Sequence, residues 1–255
     1  MNKTLSIQAY SIRDKLNTLE ETKEAFKALA SYGYTGVQTA GEPSYGYEEY
    51  RKAADEAGLK IIGTHLGIDL FENTDETVRI HNILGTKNAG VGAMPGLWGA
   101  DFSKETVYSF IERAGKVAQA FHDKGLTFTY HHHEREFAKI GNETIMDIII
   151  KELNFNTTFV LDTYWLQAGG VNIIEWLKKL EGKVNILHLK DFAVPFGKGG
   201  YVITELGNGN INYREVIKAA EASGVEHLCY EQDNNHKEDS LLSAKQSAEY
   251  FYSII

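Results

Sequence analysis

Cysteine, proline and long apolar runs are scarce in this chain, and each scarcity excludes a class of protein. Among 255 residues the single cysteine, Cys229, cannot form an internal disulfide, which argues against a small disulfide-stapled domain. Only 3 prolines and a hydrophobic fraction of 43% exclude collagen-like and disordered chains. No run approaches the roughly 20 apolar residues of a membrane span. The sequence therefore predicts an ordered protein with a substantial core.

Positive charge is also in deficit. The 26 lysines and arginines face 35 aspartates and glutamates, so the formal net charge is -9. This charge repels phosphate backbones and anionic lipid, so we expect neither a nucleic-acid nor a membrane partner. The first ten residues alternate like a strand and lack the long apolar core of a signal peptide, which predicts a cytoplasmic location.

A repeated unit organises the chain: a short apolar strand, a polar turn and an amphipathic helix. The strands do not all alternate with polar residues, as expected when helices cover a parallel sheet on both sides. The pattern predicts strands at Thr4–Tyr10, Tyr34–Thr39, Leu59–His65, Ala89–Ala93, Leu126–His133, Thr157–Asp162, Val184–Lys190 and His227–Gln232. The clearest helix, the fourth, has an apolar stripe at Val107, Phe110, Ile111, Ala114, Val117, Ala118 and Phe121.

Helix-capping signals agree with this periodicity. Thr18, Asn172 and Asn212 each precede a glutamate by three residues, as N-caps do. Gly33, Gly58, Gly182 and Gly224 stand where helices should end.

Eight such units without a linker predict one α/β domain spanning residues 1–255, a single (β/α)8 TIM barrel. A doubly wound open sheet is the alternative, but the first strand lacks the Gly-x-Gly-x-x-Gly turn of dinucleotide-binding folds. Two long connections interrupt the regularity, Gly92–Phe102 and Asp191–Ile211. The second contains Phe192, Phe196 and several glycines, which favours a lid that closes over a ligand.

Polar residues gather where the predicted strands end, which is where a TIM barrel builds its active site. His131-His132-His133 ends the fifth strand, Asp162 the sixth, His188 with Lys190 the seventh and Glu231 the eighth. Each residue alone has a structural interpretation, such as a helix cap or a satisfied core histidine. One divalent ion would explain all four strand ends together, and imidazole with carboxylate suits Mn, Co, Zn or Fe better than Ca.

Alternation along the fifth strand limits which histidines can act together. His131 and His133 share one face, so both point inward while His132 points outward, or the reverse. Near the same rim stand His65 and Gln38, which we assign to substrate hydroxyl groups. Aromatic residues that could stack on a ligand there are Tyr10, Trp98, Tyr164, Trp165, Phe192 and Phe196. This mixture predicts a polyhydroxylated substrate.

With these motifs the chain resembles the sugar phosphate isomerase/epimerase family of xylose isomerase-like TIM barrels, which includes tagatose 3-epimerase-like enzymes and inosose dehydratases. The resemblance runs from Leu5-Ser6-Ile7-Gln8-Ala9-Tyr10 to Tyr230-Glu231-Gln232-Asp233. It implies one divalent ion, with Mn, Co, Zn and Mg as candidates, held by Asp162, His188 and Glu231. The family's usual strand-five glutamate is replaced by His131, and its usual strand-two glutamate by Gln38. Glu134 is the rival strand-five ligand, but alternation favours His131, because Glu134 would share the opposite strand face with His132.

The resemblance implies metal-dependent isomerisation or epimerisation of a keto sugar through an enediolate. Candidate catalytic residues are Glu231, His133 and Lys190, the last if its pKa falls beside the metal charge. A dehydratase or lyase acting on an inosose or a 3-keto glycoside is the nearest alternative, and a non-catalytic sugar-binding barrel is the alternative of another class. A nuclease of the endonuclease IV type fits the negative charge poorly. The expected partner is a small carbohydrate, and the sequence leaves assembly into a homo-oligomer open.

Overall fold

The fold, described by a computed structural model for residues 3–153, 157–197, 199–236 and 238–255, is an α/β barrel. Its parallel strands within these ranges are β1 Leu5–Gln8, β2 Tyr34–Gln38, β3 Lys60–Gly63, β4 Asn88–Val91, β5 Thr127–His131, β6 Thr158–Asp162, β7 Val184–Leu189 and β8 His227–Tyr230. The continuous ladder runs β3-β2-β1-β8-β7-β6-β5-β4. This order confirms the predicted TIM barrel.

Backbone hydrogen bonds between the chain segments at β3 and β4 close the barrel. The Thr64 amide donates to the Asn88 carbonyl at 3.0 Å, and the Leu66 amide donates to Gly90 at 2.8 Å. The Gly92 amide then returns a bond to Leu66 at 3.1 Å. Closure leaves no open edge here and brings the carboxyl ends of all the strands to one rim.

Helices cover the outside of the barrel. Those that follow the strands are α1 Leu19–Ser31, α2 Tyr47–Ala57, α3 Thr74–Leu84, α4 Lys104–Lys124, α5 Ile145–Glu152, α6 Ile173–Lys179, α7 Tyr213–Ala222 and α8 Ser240–Ile254. Short helices at Ile68–Phe71 and Thr163–Ala168 and 3-10 turns at Ala9–Lys15 and Glu134–Phe137 complete the set. Across the described ranges no helix is both long and apolar enough to cross a bilayer.

The predicted packing and capping signals are confirmed. The apolar stripe of α4 is buried along its whole length. Thr18 and Glu21 form a reciprocal capping box, and the side chains of Asn172 and Asn212 accept backbone N–H groups at the starts of α6 and α7. Gly33, Gly58, Gly182 and Gly224 all take positive φ at or just past helix ends. The main core lies between the sheet and these helices.

Strand boundaries are where the sequence prediction was wrong. β1 ends at Gln8 and not at Tyr10, because the Gln8 side chain accepts the Tyr10 amide at 3.1 Å and starts a 3-10 turn. β5 ends at His131 and not at His133, because the Glu136 carboxylate accepts the His133 amide at 3.1 Å. Side chain to backbone bonds of this kind turn the chain away from the ladder.

The long connection after β7 is a structured hairpin. Asp191–Ala193 pairs antiparallel with Val202–Thr204. At its base the buried Asp191 carboxylate accepts four backbone N–H groups, from Phe192, Gly207, Gly209 and Ile211, at 2.9 to 3.3 Å. Gly209 has to be glycine there, since a Cβ would lie 2.2 Å from Asp191 Oδ1. Closure of this hairpin on a ligand stays a prediction.

Replacing Asp191 should show how much its hydrogen bonds at the base of the hairpin contribute to the free energy of unfolding. We expect Asp191→Ala to lower the free energy of unfolding by about 3 kcal/mol, because buried bonds to a charged acceptor are lost. Asp191→Asn keeps one acceptor oxygen, so its loss should be intermediate. Urea unfolding of the three proteins gives the ranking. Equal stability of the wild type and Asp191→Ala would contradict this account.

Candidate metal centre and active-site pocket

Four buried side chains converge at the rim formed by the ends of β5 to β8. His131, Asp162, His188 and Glu231 each offer one ligand atom, and these atoms all lie within 4.8 Å of one another. Three of the side chains stand two positions beyond Val160, Ile186 and Cys229, which form a small separate cluster of buried residues. Because residues two apart share a strand face, the apolar layer supports the polar layer above it.

The four converging atoms lack hydrogen bonds although they are buried. His131 Nε2, Asp162 Oδ2, His188 Nδ1 and Glu231 Oε2 are all without a partner of acceptable geometry. His188 Nδ1 lies 2.8 Å from Glu231 Oε2, close enough for an ion pair when His188 is protonated, but the two atoms are not in hydrogen-bond geometry. Buried polar atoms are rarely left unpaired. Two imidazole nitrogens and two carboxylate oxygens are a ligand set that fits one divalent ion.

Hydrogen bonds on the far side of each imidazole leave the inner nitrogen available. His131 Nδ1 lies 3.0 Å from the Gly92 carbonyl, which can only accept, so Nδ1 carries the hydrogen. His188 Nε2 lies 2.7 Å from Gln38 Oε1, which also accepts from Gln8 Nε2 at 2.9 Å. Such partners fix the tautomer and orientation of metal-binding histidines.

The protonation of His188 responds to the two carboxylates. Burial lowers its pKa, but Glu231 and Asp162 outweigh burial and raise the pKa to about 9. Without an ion, His188 is thus protonated at neutral pH. A divalent ion would take the place of the Nδ1 proton, since metal ligands bind deprotonated.

Asp162 combines two functions that the sequence presented as alternatives. Its Oδ1 accepts the Trp165 amide at 2.9 Å and caps the helix Thr163–Ala168, while Oδ2 belongs to the converging cluster. Burial raises its pKa, but Lys190 and the two histidines outweigh burial and hold the pKa well below the usual value. The carboxylate is ionised at neutral pH and is positioned by the backbone.

Lys190 is the buried cation of the site. Its Nζ lies 3.0 Å from Glu231, 3.0 Å from Asp233 and 3.3 Å from Asp162. Burial lowers its pKa, but these three carboxylates outweigh burial and raise it. Without an ion, the pKa of Lys190 is therefore raised, whereas the sequence allowed for a fall in this pKa beside a metal ion. Lys190 is an ammonium group that donates hydrogen bonds.

A cavity of about 520 Å³ opens over this cluster. It is lined by Tyr10, Ala40, Gly41, His65, Trp98, His131, His133, Trp165, Lys190, Glu231 and Asp233. Seven of the residues predicted as catalytic or substrate-binding are therefore brought together: Tyr10, His65, Trp98, His133, Trp165, Lys190 and Glu231. Its volume is within the range of small-molecule sites.

Four predicted contact residues lie outside this lining: Gln38, Tyr164, Phe192 and Phe196. Gln38 is fully buried and its amide is occupied by Gln8, His188 and a 3.4 Å contact to His65. Phe192 packs against the rings of Tyr164 and Tyr201, at centroid distances of 5.4 and 5.5 Å. Gln38 orients site residues, whereas Phe192 belongs to the hairpin.

His133 is a neutral imidazole in the pocket wall. Burial, followed by His131 and Lys190, holds its pKa well below the usual value. The ring lies between the indoles of Trp98 and Trp165, at centroid distances of 4.6 and 5.2 Å, and Nδ1 has no hydrogen bond. His132 instead accepts the Asp162 amide at 3.1 Å. Of the two registers that alternation allowed, His131 and His133 thus line the pocket.

Two further residues bear on the sequence predictions. Asp233 lines the pocket and contacts Lys190, yet it was not singled out as a site residue. The sequence did contain a signal for Asp233, because a residue two positions beyond Glu231 shares its face if the strand continues. Glu134, the rival ligand, begins the 3-10 turn after β5 and is not part of the cluster found among the described residues.

A family model for the xylose isomerase-like TIM barrel matches residues 26–254. The chain belongs to the xylose isomerase-like TIM barrel family. No curated protein matches the sequence. Family membership therefore accounts for the fold, while the activity has to be argued from the site.

Solved structures agree on the fold. A sugar phosphate isomerase/epimerase from Parabacteroides distasonis is 20% identical with a TM-score of 0.77, covering 98% of this chain and 97% of that one. A D-allulose 3-epimerase from Methylomonas sp., in complex with D-allulose, is 14% identical with a TM-score of 0.77, covering 99% and 97%. A xylose isomerase-like protein from Mycobacterium smegmatis, in complex with magnesium, is 17% identical with a TM-score of 0.67, covering 98% and 96%.

The strand-five ligand can be tested with two alanine variants. His131→Ala should weaken Mn binding by about 100-fold, since one ligand is lost from a preformed set. Glu134→Ala should bind Mn like the wild type. Calorimetric titration of the metal-free proteins measures both affinities. The reverse ranking of the two variants would show that the assigned register is wrong.

The role of Gln38 is tested separately. Gln38→Leu removes the acceptor that orients His188, so we expect Mn affinity to fall by about 10-fold while the fold is kept. Gln167→Leu, which replaces an amide at an exposed position of the helix Thr163–Ala168, is the matched control. Unchanged Mn affinity in Gln38→Leu would mean that this hydrogen bond does not orient the ligand.

Proposed function

We propose that this protein is a divalent-metal-dependent isomerase or epimerase that acts on a keto sugar through an enediolate. The observation that carries the proposal is the set of four buried ligand atoms that lie within 4.8 Å of one another at the floor of a sugar-sized pocket. A divalent ion held by His131, Asp162, His188 and Glu231 would polarise a substrate carbonyl as a Lewis acid. Mn, Co, Zn and Mg are the candidate ions.

The chain's own groups supply proton transfer. Burial raises the pKa of Glu231, but Lys190 and His188 outweigh burial and hold it well below the usual value, so Glu231 is a carboxylate at neutral pH. His133 is neutral with a free Nδ1. We assign removal and return of the proton beside the carbonyl to these two groups, both of which line the pocket.

Lys190 and His65 are assigned to the substrate oxygens. The Lys190 ammonium donates hydrogen bonds and can stabilise negative charge that develops on oxygen. Gln38 Nε2 lies 3.4 Å from His65 Nδ1, which leaves the hydrogen of His65 on Nε2. Tyr10, Trp98 and Trp165 add aromatic walls suited to the apolar face of a sugar ring.

A lyase is the second candidate, and the charge of Lys190 favours it. An ammonium group beside two basic groups can protonate a leaving oxygen after the proton next to the carbonyl is removed. Dehydration of an inosose or elimination from a 3-keto glycoside would then follow from the same site. The two reactions differ only in what happens to the enediolate.

Solvent exchange tests the proposal. In D2O the Mn-loaded protein should incorporate deuterium beside the carbonyl of at least one of a panel of keto sugars, inososes and 3-keto glycosides, as read by NMR. His133→Gln should bind Mn normally and exchange at least about 100-fold more slowly. His122→Gln, on the exposed face of α4, is the matched control.

The same spectra separate the alternatives. Unsaturated products with loss of a substituent would assign the lyase reaction. Absence of exchange with every compound, together with ligand-dependent increases in melting temperature, would identify a non-catalytic sugar-binding barrel and overturn the proposal.

A further inference from the structure

A second cleft of about 460 Å³ continues from the active-site pocket. It lies between the segments that follow β1 and β2, and three residues, Tyr10, Ala40 and Gly41, line both cavities. Its lining also includes Arg13, Glu42, Tyr45 and Tyr50. A ligand seated over the metal cluster could thus extend past Tyr10 into this cleft.

The cleft offers an aromatic wall and an unsatisfied hydroxyl group. Tyr10 and Tyr45 are partly exposed, while Tyr50 is only 4% exposed. The Tyr45 hydroxyl is paired with Thr22 at 2.6 Å, but the Tyr50 hydroxyl has no hydrogen-bond partner. A buried hydroxyl left unpaired is costly, so a ligand that supplied its partner would gain affinity.

The charges of both cavities disfavour an anionic ligand. In the cleft, Arg13 donates to the Tyr10 carbonyl at 2.9 Å, its guanidinium lies 4.1 Å from the centre of the Tyr10 ring, and Glu42 also lines the cavity. In the pocket, Lys190 already contacts three carboxylates. The two linings thus contain two cations, Arg13 and Lys190, against three carboxylates, Glu42, Glu231 and Asp233, and this balance disfavours a phosphate group although Arg13 itself makes no ion pair among the described residues.

We propose that this cleft, defined by Tyr10, Tyr45 and Tyr50, is a subsite for a second uncharged sugar ring, so that the substrate is a keto sugar carrying a glycosyl group. This inference rests on the proposed function for the first ring. Aromatic walls with a few polar groups are the chemistry that recognises a neutral sugar, which has apolar faces and hydroxyl edges. The two connected cavities together have room for two rings.

Binding measurements on the Mn-loaded protein test the subsite without requiring turnover. The probes are D-fructose, D-fructose 6-phosphate and the keto disaccharides turanose, maltulose and isomaltulose, titrated by calorimetry. At least one disaccharide should bind about 10-fold more tightly than fructose, which corresponds to one or two added hydrogen bonds. The phosphate ester should bind no better than fructose.

Two tyrosine variants on α2 provide the matched comparison. Tyr50→Phe should weaken the preferred disaccharide by about 5- to 10-fold and leave fructose unchanged. Tyr47 is also buried with an unpaired hydroxyl, but it does not line the cleft, so Tyr47→Phe should change neither ligand. The small change in side chain keeps both variants folded.

The outcomes separate this inference from the proposed activity. Equal binding of fructose and every disaccharide, preference for the phosphate ester, or equal effects of the two tyrosine variants would each overturn the subsite. Deuterium exchange into fructose without any disaccharide preference would leave the catalytic proposal standing alone. Disaccharide preference that depends on Tyr50, without exchange into any sugar, would leave the subsite standing alone.

Discussion

The contact of one buried ammonium group with three carboxylates is the interaction on which the site depends. Lys190 is 1% exposed, and Asp162, Glu231 and Asp233 surround it. Buried charges of one sign repel and lose hydration, so three carboxylates could not remain ionised together without a cation. With neutral imidazoles, the ammonium and one divalent ion would balance the three carboxylates. In the chain alone the protonated His188 supplies part of this positive charge, which a divalent ion would replace.

Neutral groups around the cluster keep this balance. Gln38 occupies a position where a carboxylate would orient His188 equally well, but the amide does so without adding negative charge. The Gly92 carbonyl orients His131 in the same manner, and its glycine is required because a Cβ would lie 2.4 Å from the His65 ring. A histidine on β5 and a glutamine on β2 both make the centre less negative than two glutamates would. A bound ion would thus keep more of its Lewis acidity.

The barrel strands support the four side chains of the cluster, whereas the loops around the site are held by separate contacts. The four candidate ligands stand at strand ends above an apolar layer, which limits their movement. The hairpin after β7 is held at its base by Asp191, although Phe196 within it is exposed. The segments after β1 and β2 form the second cleft. The candidate metal centre is therefore placed at strand ends, whereas loops shape the cavities around it.

Local sequence determined the elements of this fold and the candidates for its centre. Apolar periodicity, capping residues and glycines predicted the strand and helix units, because these signals act within a few residues of chain. Placement of His131, Asp162, His188 and Glu231 at consecutive strand ends was sufficient to predict that they meet, because parallel strands end at one rim. Strand alternation also favoured His131 over Glu134.

Tertiary structure decided what depends on groups distant in sequence. The ends of β1 and β5 are set by Gln8 and Glu136, whose side chains compete with the ladder for backbone N–H groups. Gln38 orients the side chain of His188, which lies 150 positions away in the sequence. The pKa of Lys190 rises because Asp162 and Asp233 approach it from two other strand ends. Tyr47 and Tyr50 look alike in sequence, yet only Tyr50 lines the cleft. Spatial convergence sets these charges and contacts, and no pattern along one segment encodes it.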